Sequence, residues 1–143
     1  MNECIILIFI YVIVLLILAF CYSLNSKENF TNKDPMLVEL HSVLSHIDSA
    51  AKNITISKAN KSYTVNKKDV FLCLKDKDGE YYNKNMLVYV AVHELAHVLC
   101  PSVGHTEEFW QINDKLLNKA TELGYYNPSI PAVKDYIDSC GTY

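Results

Sequence analysis

The chain has 143 residues, 13 of them Lys or Arg and 16 Asp or Glu, for a net charge of -3 with its 5 histidines neutral. That balance, with no long basic run, gives no support to a strong nucleic-acid surface. The hydrophobic content of 50% overstates the core, because the first twenty-odd residues supply much of it; the remainder is polar, rich in Asn and Lys, and long enough for one modest core.

Ile5 to Tyr22 is an uncharged apolar run. At ~1.5 Å per helical residue it is long enough to cross a ~30 Å hydrocarbon layer. A cleaved signal peptide is the rival reading, but the leader Met1-Asn2-Glu3-Cys4 lacks Lys and Arg, and the run exceeds the usual ~7–15 residues. The expectation is a transmembrane helix over residues 1–23, held in the membrane through residues 5–22, then a linker over 24–33 and one domain over 34–143. Lys27 and Lys33 follow the run and Glu3 precedes it, which predicts a single-pass membrane protein with its domain on the cytoplasmic side. The sequons at Asn29, Asn53 and Asn60 argue for the other side, yet such triplets arise easily in an Asn-rich chain. Cys4 and Cys21 flank the run. Cys73, Cys100 and Cys140 are scattered singly with no CxxC pair, which predicts free buried thiols in a reducing compartment rather than a disulfide framework.

Asp34-Pro35 reads as an N-cap with proline at the first helical position, and Leu37, Leu40, Leu44 and Ile47 give that helix one apolar face. His41 and His46 on it are not at a ligand-pair spacing and read as surface residues. Short strands are predicted around Ile54 and Ile56 and at Tyr63-Thr64-Val65, then a turn over 66–69. Val70 to Leu74 is a stronger strand, either an ordinary core strand or the sheet edge that pairs with an extended peptide. Asp78-Gly79 marks a hairpin turn, with Tyr81-Tyr82 as a short return. From Asn85 the spacing of Met86, Val90, Leu95, Val98 and Leu99 predicts a heavily buried helix ending before Pro101. Thr106 caps the next helix, whose apolar stripe is Phe109, Ile112, Leu116, Ala120 and Leu123, with Gly124 at its C-terminal end. The tail, with Pro128 and Pro131, is expected to wrap the domain without much regular structure.

The buried helix carries His93-Glu94-Leu95-Ala96-His97. Residues four apart on a helix share a face, so both imidazoles can aim a nitrogen at one ion. Glu94 lies about 100° round the helix from His93 and can take a proton from a water on that ion without being a ligand. Two imidazoles and a carboxylate would be costly on so apolar a helix without such a partner. A catalytic zinc needs a third protein ligand and an open fourth position. His105 is the choice, because Pro101 and Gly104 let the chain turn back; Glu107, Glu108 and Glu122 are the carboxylate rivals. Tyr125, Tyr126 and Tyr136 are candidate oxyanion stabilisers. Phe109 and Trp110 read as packing.

HELAH followed by Gly104-His105-Thr106-Glu107-Glu108-Phe109-Trp110 resembles the small zincins of the WLM and SprT-like families. The similarity runs from about Tyr63 to Cys140. It implies an α+β, compact zincin-like domain with an active-site helix and a small sheet, one Zn²⁺ per chain on His93, His97 and His105, and Glu94 as catalytic base. The expected function is therefore a membrane-tethered zinc metallopeptidase acting on protein or peptide substrates. The alternatives are a zinc-binding membrane adaptor that has lost turnover and a DNA–protein crosslink repair protease. Larger relatives of the second kind use extra DNA-binding segments, and none is visible here.

Overall fold

The structure, a computed structural model, describes residues 8–20, 34–132 and 134–140. The chain divides into two units, Met1–Lys33 and Asp34–Tyr143. In the first, residues 8–20 form helix α1, exposed along its length. This corrects the expected anchor: no helix among the described residues is long and apolar enough to cross a membrane. Helix α1, the described part of the apolar run, reaches only about 20 Å over residues 8–20 at ~1.5 Å each, against the ~30 Å needed. The transmembrane helix over 1–23, membrane attachment through residues 5–22 and the single-pass localisation are not supported. The expected linker over 24–33, Cys4 and Cys21 lie outside the described residues.

In the second unit, Asp34 caps helix α2 (Pro35–Ile47), its carboxylate accepting from Met36 N at 3.0 Å. The apolar face of α2 is buried through Leu37, Leu40, Val43, Leu44 and Ile47. A 3-10 turn (Ser49–Asn53) leads to strand β1 (Thr55–Lys58), followed by β2 (Tyr63–Val65) and β3 (Asp69–Leu72). The sheet order is β1-β3-β2, with β3 parallel to β1 and antiparallel to β2. Val70 therefore lies on the central strand, not at an edge. Tyr81 returns only as an isolated bridge to Lys75.

Register decides what the sheet shows to the helices. Ile56 pairs with Val70 and Val70 with Thr64, so these three form one row on the inner face. Phe71 and Tyr63 pair on the outer face and stack with ring centroids 4.7 Å apart. Inside, Ile56 and Val70 meet α2 and helix α3 (Lys84–Leu99) in the core. Helix α4 (Glu107–Glu122) starts at Thr106, whose hydroxyl accepts from Phe109 N, and packs across α3 through Phe109, Leu116 and Ala120.

Two expectations about the tail fail. Lys134–Cys140 is a helix, α5, and Cys73 and Cys140 form a disulfide while Cys100 stays free and buried. Tyr136 on α5 is wholly buried; its hydroxyl contacts Ser62 Oγ at 2.6 Å and donates to the Cys73 carbonyl at 3.0 Å. Ser62 Oγ also accepts from Cys73 N at 2.9 Å. This polar knot seats α5 against the ends of β2 and β3 and brings the two cysteines to a Cα separation of 5.7 Å. Partners 67 positions apart leave no mark in local spacing.

Candidate metal centre

Helix α3 begins at Asn83, whose side chain accepts from Asn85 N, and is buried almost continuously from Met86 to Ala96. His93 (4% exposed) and Glu94 (0%) thus sit in an interior otherwise lined by Leu, Val and Ala. His97, one turn on, is half-buried. After Cys100 the chain turns through Pro101 and through Gly104, whose φ of +83° is the left-handed conformation that side chains disfavour. That turn returns His105 to the helix.

The result is a triangle of imidazoles. His105 Nε2 lies 3.0 Å from His93 Nε2 and 3.1 Å from His97 Nε2. The three potential ligand atoms all fall within 4.8 Å of one another, close enough to hold a metal ion. Nitrogens bound tetrahedrally at ~2.0–2.1 Å would stand about 3.3 Å apart, so the triangle is near ligand geometry already. Burial, reinforced by His97 and His105, pushes the His93 imidazolium down to about 4. Burial, with His105 and Lys67, does the same to His97, also to about 4. Both rings are therefore neutral at pH 7, the form that binds metals.

Phe109 packs against all three rings. Its centroid is 4.9 Å from His93, 4.3 Å from His97 and 4.8 Å from His105, and the ring is fully buried. Trp110 stacks on His105 at 5.5 Å. These aromatics orient the imidazoles as well as joining α4 to α3.

Burial pushes the Glu94 carboxyl up to about 7, against a hydrogen bond from Thr64 that favours the charged form. Thr64 Oγ1 donates to Oε2 at 2.8 Å. The other oxygen, Oε1, is buried and has no hydrogen-bond partner. An orphaned buried carboxylate oxygen is expensive unless a donor reaches it. Three imidazole nitrogens, with this free oxygen on the residue next to His93, form a donor set that fits a metal ion.

The carboxylate rivals do not join the triangle. Glu108 Oε2 accepts from Ser102 Oγ at 2.7 Å, Glu122 faces Lys119 at 3.8 Å, and Glu107 is exposed in the first turn of α4. The tyrosines do not gather at the imidazoles. Tyr125 bonds His46 Nδ1 at 2.9 Å, Tyr126 packs on Tyr89, and Tyr136 is held in the knot at the ends of β2 and β3.

A cleft of about 470 Å³ opens beside His97, lined among others by Tyr63, Thr64, Lys67 and Val103. A larger depression, about 770 Å³, lies between the end of α2 and α4, but its walls carry no histidine. The chemistry points to the smaller one.

The chain is similar to viral proteins. It is 47% identical over 89 residues to uncharacterized protein 136R of Invertebrate iridescent virus 6, covering 60% of this chain and 50% of that protein. It is 49% identical over 85 residues to uncharacterized protein 042R of Invertebrate iridescent virus 3, covering 59% and 54%. Uncharacterized protein R325 of Acanthamoeba polyphaga mimivirus matches at 40% over 82 residues, covering 56% and 41%. The chain thus spans about half the length of the curated relatives it matches, and their names state no activity. No family model matches it. No solved structure matches it.

Two contributors escape a reading of the sequence. Thr64 bonds Glu94, 30 positions away. Lys67, in the β2–β3 turn, donates to the carbonyls of His97 (3.4 Å), Cys100 and Ser102 (3.1 Å), tying the end of α3 to the loop that carries His105. The Asn66–Asp69 turn was the only local sign of either.

Proposed function

We propose that residues 34–143 form a zinc-dependent metallopeptidase of the HExxH type, akin to the WLM and SprT-like zincins, acting on protein or peptide substrates. The observation that carries this reading is the convergence of the His93, His97 and His105 nitrogens next to a buried glutamate with one free oxygen. His93, His97 and His105 would hold the zinc and leave a fourth position open. Bound there, zinc would supply Lewis acidity and bring the pKa of a water towards ~7. Glu94, held to about 7 by burial, is matched to accept that proton at Oε1 and return it to the leaving amine. Phe109 and the neighbouring core keep bulk water from the inner face of the imidazoles.

The substrate path follows from the sheet. β2 is an edge strand, and its residues Tyr63 and Thr64 line the cleft beside His97. An extended peptide added along this edge would pair through its backbone, and its scissile carbonyl would come to the imidazole triangle.

The test uses the full chain, its zinc content and its cleavage of a quenched peptide library. Glu94→Gln keeps the ligands, so zinc should stay while hydrolysis falls at least ~10²-fold, the expected loss for a positioned general base. His105→Ala should release zinc, because two helical ligands remain. A folded chain that neither contains nor takes up zinc would sink the reading. Tight zinc without cleavage in the unsubstituted chain would leave a zinc-binding adaptor in its place.

A further inference from the structure

Thr64 is the middle residue of β2, and its inner-face position points it at α3 beside Val70. Its hydroxyl lies 2.8 Å from Glu94 Oε2 and 3.1 Å from the backbone carbonyl oxygen of the same residue. The carbonyl already belongs to the helical ladder, whereas the carboxylate is the stronger, charge-assisted acceptor. One hydroxyl thus spans the two ends of a single glutamate. Of the two carboxylate oxygens, Oε2 is occupied and Oε1 is left without a partner.

We infer that Thr64 is the positioning residue for Glu94, a role that rests on the peptidase reading above. A glutamate side chain unconstrained by a partner samples several staggered rotamers, and only a subset places a carboxylate oxygen correctly. Threonine suits this role because its branched Cβ is stiff on a strand and favours one rotamer, and its methyl completes the row begun by Ile56 and Val70. Because β2 is also an edge strand of the sheet, the strand that would seat a peptide is the one that aligns the base.

The experiment compares Thr64→Val, which keeps the shape and removes the hydroxyl, with Thr64→Ser, which keeps the hydroxyl. Both are made in the full chain with zinc and assayed on a quenched peptide that the unsubstituted chain cleaves. Thr64→Val should lower kcat by at least ~10-fold, with KM and zinc content unchanged. Thr64→Ser should remain within ~3-fold of the unsubstituted chain. A second readout needs no turnover: three-bond NMR couplings should show one Glu94 χ1 rotamer in the unsubstituted and Thr64→Ser chains, and an averaged one in Thr64→Val. Unchanged kcat in Thr64→Val, an equal loss in Thr64→Ser, or a single Glu94 rotamer in all three would overturn the inference. If the unsubstituted chain cleaves no peptide, the peptidase reading fails, and the couplings alone decide whether Thr64 positions Glu94.

Discussion

Phe109 touches His93, His97 and His105 at once, so one side chain links core packing to ligand orientation. Phe109→Leu should keep the fold but loosen the imidazoles. Zinc affinity, measured by competition with a chelator, should fall about 10-fold, the lower end for losing a group that orients ligands. Tyr136 predicts a pH effect. Burial raises its hydroxyl to about 12 from an ordinary 10, so the folded state favours the neutral phenol. Its stabilising contribution is therefore complete below pH 10 and is lost as pH rises from 10 towards 12. Urea midpoints should drop across that window, and less steeply in Tyr136→Phe. The shared helix face of His93 and His97 was legible because their spacing is local, and the return of His105 to it because Pro101 and Gly104 announce a turn. Thr64 was not, since a threonine in a short strand looks the same whether its hydroxyl meets water or a carboxylate.

Among the elements, the β2–β3 turn does the most with the fewest residues. Asn66 (φ 50°) and Lys67 (φ 53°), two of the three residues between the paired Val65 and Asp69, both adopt the left-handed backbone of a tight turn that Lys68 N closes onto the Val65 carbonyl at 3.1 Å. Asparagine tolerates this well; lysine does so at some cost, offset here by the carbonyls at the end of α3. Lys67→Met keeps the strain and removes the ammonium. Because Lys67 is exposed, the loss of stability should be modest, about 1 kcal/mol, seen as a lower urea midpoint with faster zinc release. The same hairpin fixes which face Thr64 shows. One residue added between Val65 and Asp69 would turn Tyr63 or Val65 inward, whereas two would restore the alternation. Apolar periodicity made α2, α3 and α4 readable, along with the caps Asp34 and Thr106. It could not reveal α5, which is held by Tyr136, bonded to Ser62 and Cys73, and by the Cys73–Cys140 disulfide. Nor could it tell which strand lies at the edge, because β3 is apolar for being central.

At the level of the whole chain, the core and the imidazole triangle lie in Asp34–Tyr143. A fragment starting at Asp34 should bind one zinc and melt within ~2 °C of the full chain, a shift below what 1 kcal/mol produces in a domain this size. Calorimetry and metal analysis of the two proteins check this. The Cys73–Cys140 bond closes a long loop, and its removal by Cys73→Ala with Cys140→Ala should cost about 4 kcal/mol by loop-closure entropy. Composition misled most at this scale, where the run from Ile5 to Tyr22 argued for a membrane span that the described helix is too short to make.

The disulfide also has a topological consequence. Residues 73–140 are a closed covalent ring, and His93, Glu94, His97 and His105 all lie on it. A single backbone cut within the exposed stretch around Val103 would open the ring without parting the chain. A chain cut there would keep its full mass on a non-reducing gel and separate into two pieces only after reduction, with His93 and His97 still tethered to His105 in the meantime.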